Sequence, residues 1–152
     1  MKPGNFGTVM DAFVAGRETM PFQWGPNDCA SFPADLGVAA GLPDFLEGLR
    51  GYDSAITAAS TLQAAGYADM LALATDRLER VTDDDDEPSI AFAQTGDIAV
   101  YENAGMTGIY RYTFAVCRAD GLIMGPGAKG LVIRPKFKAG KVAPVIAAFR
   151  LG

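Results

Sequence analysis

The chain has 152 residues, 49% of them hydrophobic and 20% charged, enough for one folded domain with a real core and too apolar for a disordered segment. A formal charge of −5 without any basic cluster argues against nucleic acid as a partner, because a phosphate backbone recruits lysine and arginine. Two distant cysteines and no histidine leave few metal ligands, so neither a metal nor another cofactor is expected.

In chain order, Val9, Met10, Phe13 and Val14 recur at helical spacing and predict an amphipathic helix over residues 6–17, ending near Gly16. A loop with Pro21 and Pro26 follows. A second helix is expected from Asp28 or Cys29 to about Ala40, with Pro33 in its first turn and Gly41 as its C-terminal cap. Cys29, Phe32, Leu36 and Ala39 or Ala40 share its inner face by period. Residues 41–52 form a glycine-rich connection. A third helix is predicted over 54–65, capped by Asp53 or Ser54 and stopped by Gly66. A fourth runs from about Ala68 to Arg80, with Met70, Leu71, Leu73 and Leu78 as its apolar set.

Asp83-Asp84-Asp85-Asp86-Glu87-Pro88 reads as a solvated loop, since it lacks the glycine and spaced ligands of a calcium loop. Beyond it the period changes. Strands are predicted at Gly96–Tyr101, at Ile109–Arg118 with an interruption, at Leu122–Met124 and at Leu131–Arg134. Asp120-Gly121 marks a hairpin and Gly125-Pro126-Gly127 a turn. The tail from Val142 to Leu151 supplies a short helix or a last strand. Helices first and antiparallel strands second imply an α+β domain with helices on one face of a meander. No basic-then-apolar leader and no apolar run of membrane length is present, so neither export nor membrane insertion is expected. A Cys29–Cys117 disulfide is not expected in a reducing compartment.

The stretch most charged with chemistry is Phe22-Gln23-Trp24-Gly25-Pro26-Asn27-Asp28-Cys29. It reads as a loop delivering a cysteine to a helix N-terminus, with Asp28 as the cap, where a thiolate is favoured. A cysteine nucleophile also needs a base, most often histidine, and this chain has none. Cys29 is therefore either a nucleophile with an unrecognised base or a small residue retained in the core, and the missing histidine favours the second. Asp97 reads as the residue fixing the turn before its strand and Asp35 as a surface partner of Arg50 or an exposed lysine; Trp24 reads as a substrate-shelf aromatic or as core packing, with packing favoured. Tyr101, Tyr110 and Tyr112 read as edge contacts to a partner or as half-buried strand residues. Cys117 reads as core.

Trp24-Gly25, Asp28-Cys29, the helix after them and Gly96-Asp97-Ile98-Ala99-Val100 together resemble the NlpC-type papain-like cysteine peptidases, which cut cell-wall peptides. In that family the cysteine opens a helix packed on an antiparallel sheet, and the catalytic histidine and a third polar residue come from successive later strands. Carried over, Cys29 matches the nucleophile, while Thr113 falls at the histidine position and Gly125 near the third position. With Phe32, Ala34-Asp35, Arg50-Gly51-Tyr52, Gly125-Pro126 and Gly130-Leu131, the order of motifs over residues 20–151 is most similar to a small uncharacterised family of phage and prophage proteins encoded among tail-tip genes. The resemblance implies a single papain-like α+β domain over residues 1–152, with N-terminal helices packed on a C-terminal sheet. It implies a catalytically degenerate peptidase-like protein serving as a structural component of a phage tail tip or baseplate. Made in the host cytoplasm and carried in the virion, it would occur in several copies in a symmetric assembly and contact other tail proteins. The alternatives are an active cysteine peptidase or amidase that uses Cys29 on peptidoglycan peptides, and a tail-assembly factor absent from the finished particle.

Overall fold

A computed structural model of the chain describes residues 2–103, 105–135 and 145–152. Four α-helices come first, α1 (Phe6–Ala15), α2 (Ser31–Ala39), α3 (Ala55–Ala64) and α4 (Met70–Arg77). Their boundaries follow local chemistry. Ser54 accepts from the Thr57 amide in a capping box at α3, and Asp69 accepts from the Ala72 amide at α4. Gly41, at φ +80°, closes α2: its amide bonds the Val38 carbonyl and the Leu42 amide bonds that of Gly37.

Six strands follow: β1 (Glu79–Arg80), β2 (Ile98–Glu102), β3 (Tyr112–Cys117), β4 (Leu122–Gly127), β5 (Gly130–Pro135) and β6 (Val145–Arg150). They form one sheet of order β1-β6-β2-β3-β4-β5, antiparallel throughout. The fold is α+β, as the sequence predicts, and β2 to β5 are the expected meander. β6 then crosses back to lie beside β2.

Three expectations need correction. α2 starts at Ser31, so Cys29 lies in the turn feeding the helix and not in its first turn. Of Ala39 and Ala40, the two candidates for the inner face of α2, Ala40 packs against the core and Ala39 is exposed; Ala34 and Gly37 are buried as well. α4 ends at Arg77 because Leu78 is extended, and Glu79 and Arg80 pair with Arg150 and Phe149 of β6; sheet pairing overrides helix propensity there. Gly125-Pro126-Gly127 continues β4 rather than turning. Pro126 stands opposite Leu131, whose amide points away to the Glu18 carbonyl at 3.0 Å, and the β3–β4 pairing ends at Met124, so the missing proline donor costs no ladder bond. The predicted interruption before β3 is a 3₁₀ turn over Gly108–Arg111. A second one, Ile90–Phe92, was not foreseen. Of the predicted tail, residues 142–144 lie outside the described residues and 145–150 are β6.

Alternation along the strands divides the sheet into two faces. Ile98, Val100, Phe114, Val116, Met124 and Phe149 pack with Phe32, Leu36, Leu62, Met70 and Leu73 of the helices in the main core. Ala99, Ala115, Cys117, Ile123 and Val145 form a smaller cluster on the opposite face, covered by Ile90 and Ala93. That cover reaches only part of the second face. Where it stops, a cleft begins.

Candidate functional site: the cleft at Cys29

The loop carrying Cys29 is held by two buried polar side chains. Asn27, 1% exposed, donates to the carbonyls of Met20 and Pro21 at 3.2 and 3.1 Å and accepts from Arg17 at 3.0 Å. Asp28, also 1% exposed, accepts from the amides of Gly25, Ala30 and Ser31 at 2.8–2.9 Å. The Ser31 hydroxyl accepts from the Asp28 amide at 2.8 Å. The Tyr52 hydroxyl neighbours Asp28; burial and then the Asp28 charge push its pKa up. Gly25 is required here, since its φ is +95° and a Cβ would lie 2.6 Å from the Tyr52 carbonyl oxygen. Asp28 is not the N-cap residue, which is Ala30, but its carboxylate still accepts from the first amides of the helix entry, and its capacity is spent on structure.

Cys29 follows this lock, partly exposed, at the edge of a cleft of about 580 Å³. Phe22, Trp24 and Tyr110 form one wall: the Phe22 and Trp24 rings meet edge to face at 5.0 Å, and Trp24 and Tyr110 lie 5.3 Å apart. The Tyr110 hydroxyl donates to the Ala55 carbonyl, which fixes the wall on α3. The floor is the uncovered second face of the sheet. Tyr101 pairs across strands with Thr113, Gly125 with Val132, and Ile123 with Arg134, so all six share that face and all line the cleft.

The Thr113 hydroxyl neighbours both the Cys29 thiol and the Tyr101 hydroxyl, close enough to favour the ionised form of each. It has one proton and serves one acceptor at a time. Burial pushes the Cys29 thiol above its ordinary value; the Thr113 hydroxyl and the Phe114 backbone oppose this, and the Asp28 charge adds to it. Tyr101 is likewise raised, first by burial and then by the neighbouring thiolate charge, against the pull of Arg134. At neutral pH the thiol therefore keeps its proton, and Tyr101 keeps its own. Among the described residues the lining holds no carboxylate and no histidine, so nothing there accepts a proton from Cys29.

The structure thus brings Cys29, Thr113 and Gly125 to a single cleft. Cys29 packs against the main core and also lines the cleft, half-buried, and Trp24 is half-buried wall, the shelf position among its two readings. Gly125 contributes open floor, since a Cβ there would meet only the Phe114 carbonyl oxygen at 3.8 Å. Tyr101 is half-buried floor, Tyr110 sits in the 3₁₀ turn, and Tyr112 is buried. Sequence reasoning missed Arg134; its place opposite Ile123 depends on the β4–β5 register, which no local signal reveals.

Other singled-out residues are structural. Asp97 is fully buried, accepts from the Gln94 amide as the turn reading expects, and pairs with both Lys2 and Arg150. Asp35 pairs with Arg50 and also with Arg17, each at 2.8 Å. Cys117 is buried on β3, and the two cysteines are not bonded to each other. Among the described residues no group of three or more Cys, Asp or Glu side chains is placed to hold a metal ion, and no helix is long and apolar enough to cross a membrane.

No curated protein matches this chain. Residues 1–143 match the model of a family described as a domain of unknown function, DUF6950, and the chain belongs to that family.

Proposed function

We propose that this protein is a catalytically degenerate relative of the NlpC-type papain-like peptidases, serving as a structural component of a phage tail tip or baseplate. One observation carries the reading: Cys29 faces Thr113 in an open cleft whose lining, among the described residues, holds no carboxylate or imidazole to accept its proton. A thiol attacks only as the thiolate, and here burial favours the protonated form. The motif order over residues 20–151 supports the tail location, and the helix-first, sheet-second architecture is compatible with a papain-like domain. In such a particle the cleft binds without cutting. Mass spectrometry of gradient-purified virions from a lysate carrying the gene tests the location. The protein is expected at a fixed stoichiometry to the tail proteins. Its absence from particles that assemble with it present in the lysate rejects the structural role in favour of an assembly factor.

The second reading is an active cysteine peptidase. The partial exposure of Cys29 and the Thr113 hydroxyl, which favours the thiolate, speak for it. Release of muropeptides that is lost in Cys29→Ala would establish it.

A further inference from the structure

The cleft has a strongly uneven chemistry. Its walls are aromatic and aliphatic, and among the described residues its lining carries one formal charge, the guanidinium of Arg134. Arg134 is exposed at the mouth, close enough to Tyr101 to act on its hydroxyl electrostatically. Among the described residues it forms no ion pair, although the chain is acidic overall and most of its other arginines are paired. A protein of net charge −5 that keeps an unpaired cation beside an apolar cleft presents a complement to one negative group with an apolar body. Gly125 leaves the floor bare between Thr113 and Arg134's strand, so a ligand backbone can approach the sheet closely.

We propose that the cleft captures the C-terminal end of a partner protein chain. In this arrangement the terminal carboxylate sits on Arg134 and the last apolar or aromatic side chain lies against Trp24 and Tyr110. The inference rests on the reading of a cleft that binds without cutting, and it names the partner feature that cleft takes. The chain's own Leu151 and Gly152 are not the occupant: Leu151 is buried, and Gly152 lies against Leu42, outside the lining.

Trp24 is the single tryptophan of the chain and sits in the wall, so its fluorescence responds to an occupant of this cleft. The probe is the tripeptide acetyl-Ala-Ala-Phe with a free C-terminal carboxylate, titrated into the whole protein beside the same peptide as its C-terminal amide. Saturable change in Trp24 fluorescence is expected with the acid, and at least tenfold weaker binding with the amide. Arg134→Gln is expected to weaken the acid by a similar factor and leave the amide unchanged. Equal binding of acid and amide, or an acid affinity unmoved by Arg134→Gln, overturns the proposal. So does 3-phenylpropionate binding as tightly as the peptide, which would make the occupant a free small acid. Mass analysis of the same samples separates the two readings. Cleaved peptide contradicts the non-catalytic function and leaves the carboxylate site standing, whereas intact peptide with no binding contradicts the site alone.

Discussion

Removing the Thr113 hydroxyl should slow the capture of Cys29 by alkylating agents. Thr113→Val keeps the shape and loses the donor that favours the thiolate. A hydrogen bond to a charged group is worth about 1.5–3 kcal/mol, and about 1.4 kcal/mol is a factor of ten. The thiolate population at fixed neutral pH therefore falls about 10- to 100-fold. A more basic thiolate is also a better nucleophile, with a Brønsted slope of about 0.5, so roughly half of the loss on a logarithmic scale is recovered. The expected drop in alkylation rate is about 3- to 10-fold at pH 7.5. Iodoacetamide labelling followed by intact mass spectrometry measures it, and Cys117, 2% exposed, stays silent in the folded protein. Thr113→Ser should restore most of the rate. Thr113→His should exceed the wild type, because an imidazole there takes the proton that the threonine cannot. In the wild type the labelling rate should inflect above the free-cysteine value of about 8.5. Wild-type speed in Thr113→Val, or a wild-type inflection at or below the free-cysteine value, would refute the assigned contact.

Asp97→Ala removes a buried anion from Lys2, Arg150 and the Gln94 amide. Both cations are partly exposed and can turn toward water, so the loss in urea unfolding is expected near the lower end of the range for a broken buried pair, about 3 kcal/mol; a loss well under 1 kcal/mol would show the triad to be idle. Asn27→Ala orphans the Met20 and Pro21 carbonyls and should cost about 1–3 kcal/mol, with a shift in Trp24 fluorescence that a purely remote defect would not produce. Stability should fall as pH rises above about 8.5. Burial raises the folded-state thiol, so the unfolded chain releases that proton first and gains from each further step in pH. Cys29→Ala should flatten part of that slope, and an unchanged urea midpoint from pH 8 to pH 10 would contradict it.

What could be read from the sequence was what short-range chemistry decides. Ser54, Gly41 and Gly66 announce helix ends through a cap and positive φ, and each does so in the structure, while Asp28 holds the entry to α2 from two residues before its cap. The Asp120-Gly121 hairpin likewise needs only its own residues, although the turn holds three residues rather than the two expected: the Arg118 amide bonds the Leu122 carbonyl around Ala119, Asp120 and Gly121. Strand β1 was unreadable because Glu79 and Arg80 become a strand only through distant β6. Pro126 misled for the same reason: its tolerance within β4 depends on where β3 stops pairing. The site divides in the same way. Cys29 and its Asp28 lock are local and stood out. The triangle of Cys29, Thr113 and Tyr101, and the place of Arg134 at the cleft mouth, arise from cross-strand register, which alternation alone cannot supply.

The most direct measurement is digestion of purified peptidoglycan sacculi by the wild-type protein and by Cys29→Ala, with released muropeptides quantified chromatographically. A protein whose thiol meets no carboxylate or imidazole among the described residues of its cleft should release no more than Cys29→Ala does, at any pH from 6 to 9. Release by the wild type that disappears in Cys29→Ala would mean that the cleft still cuts.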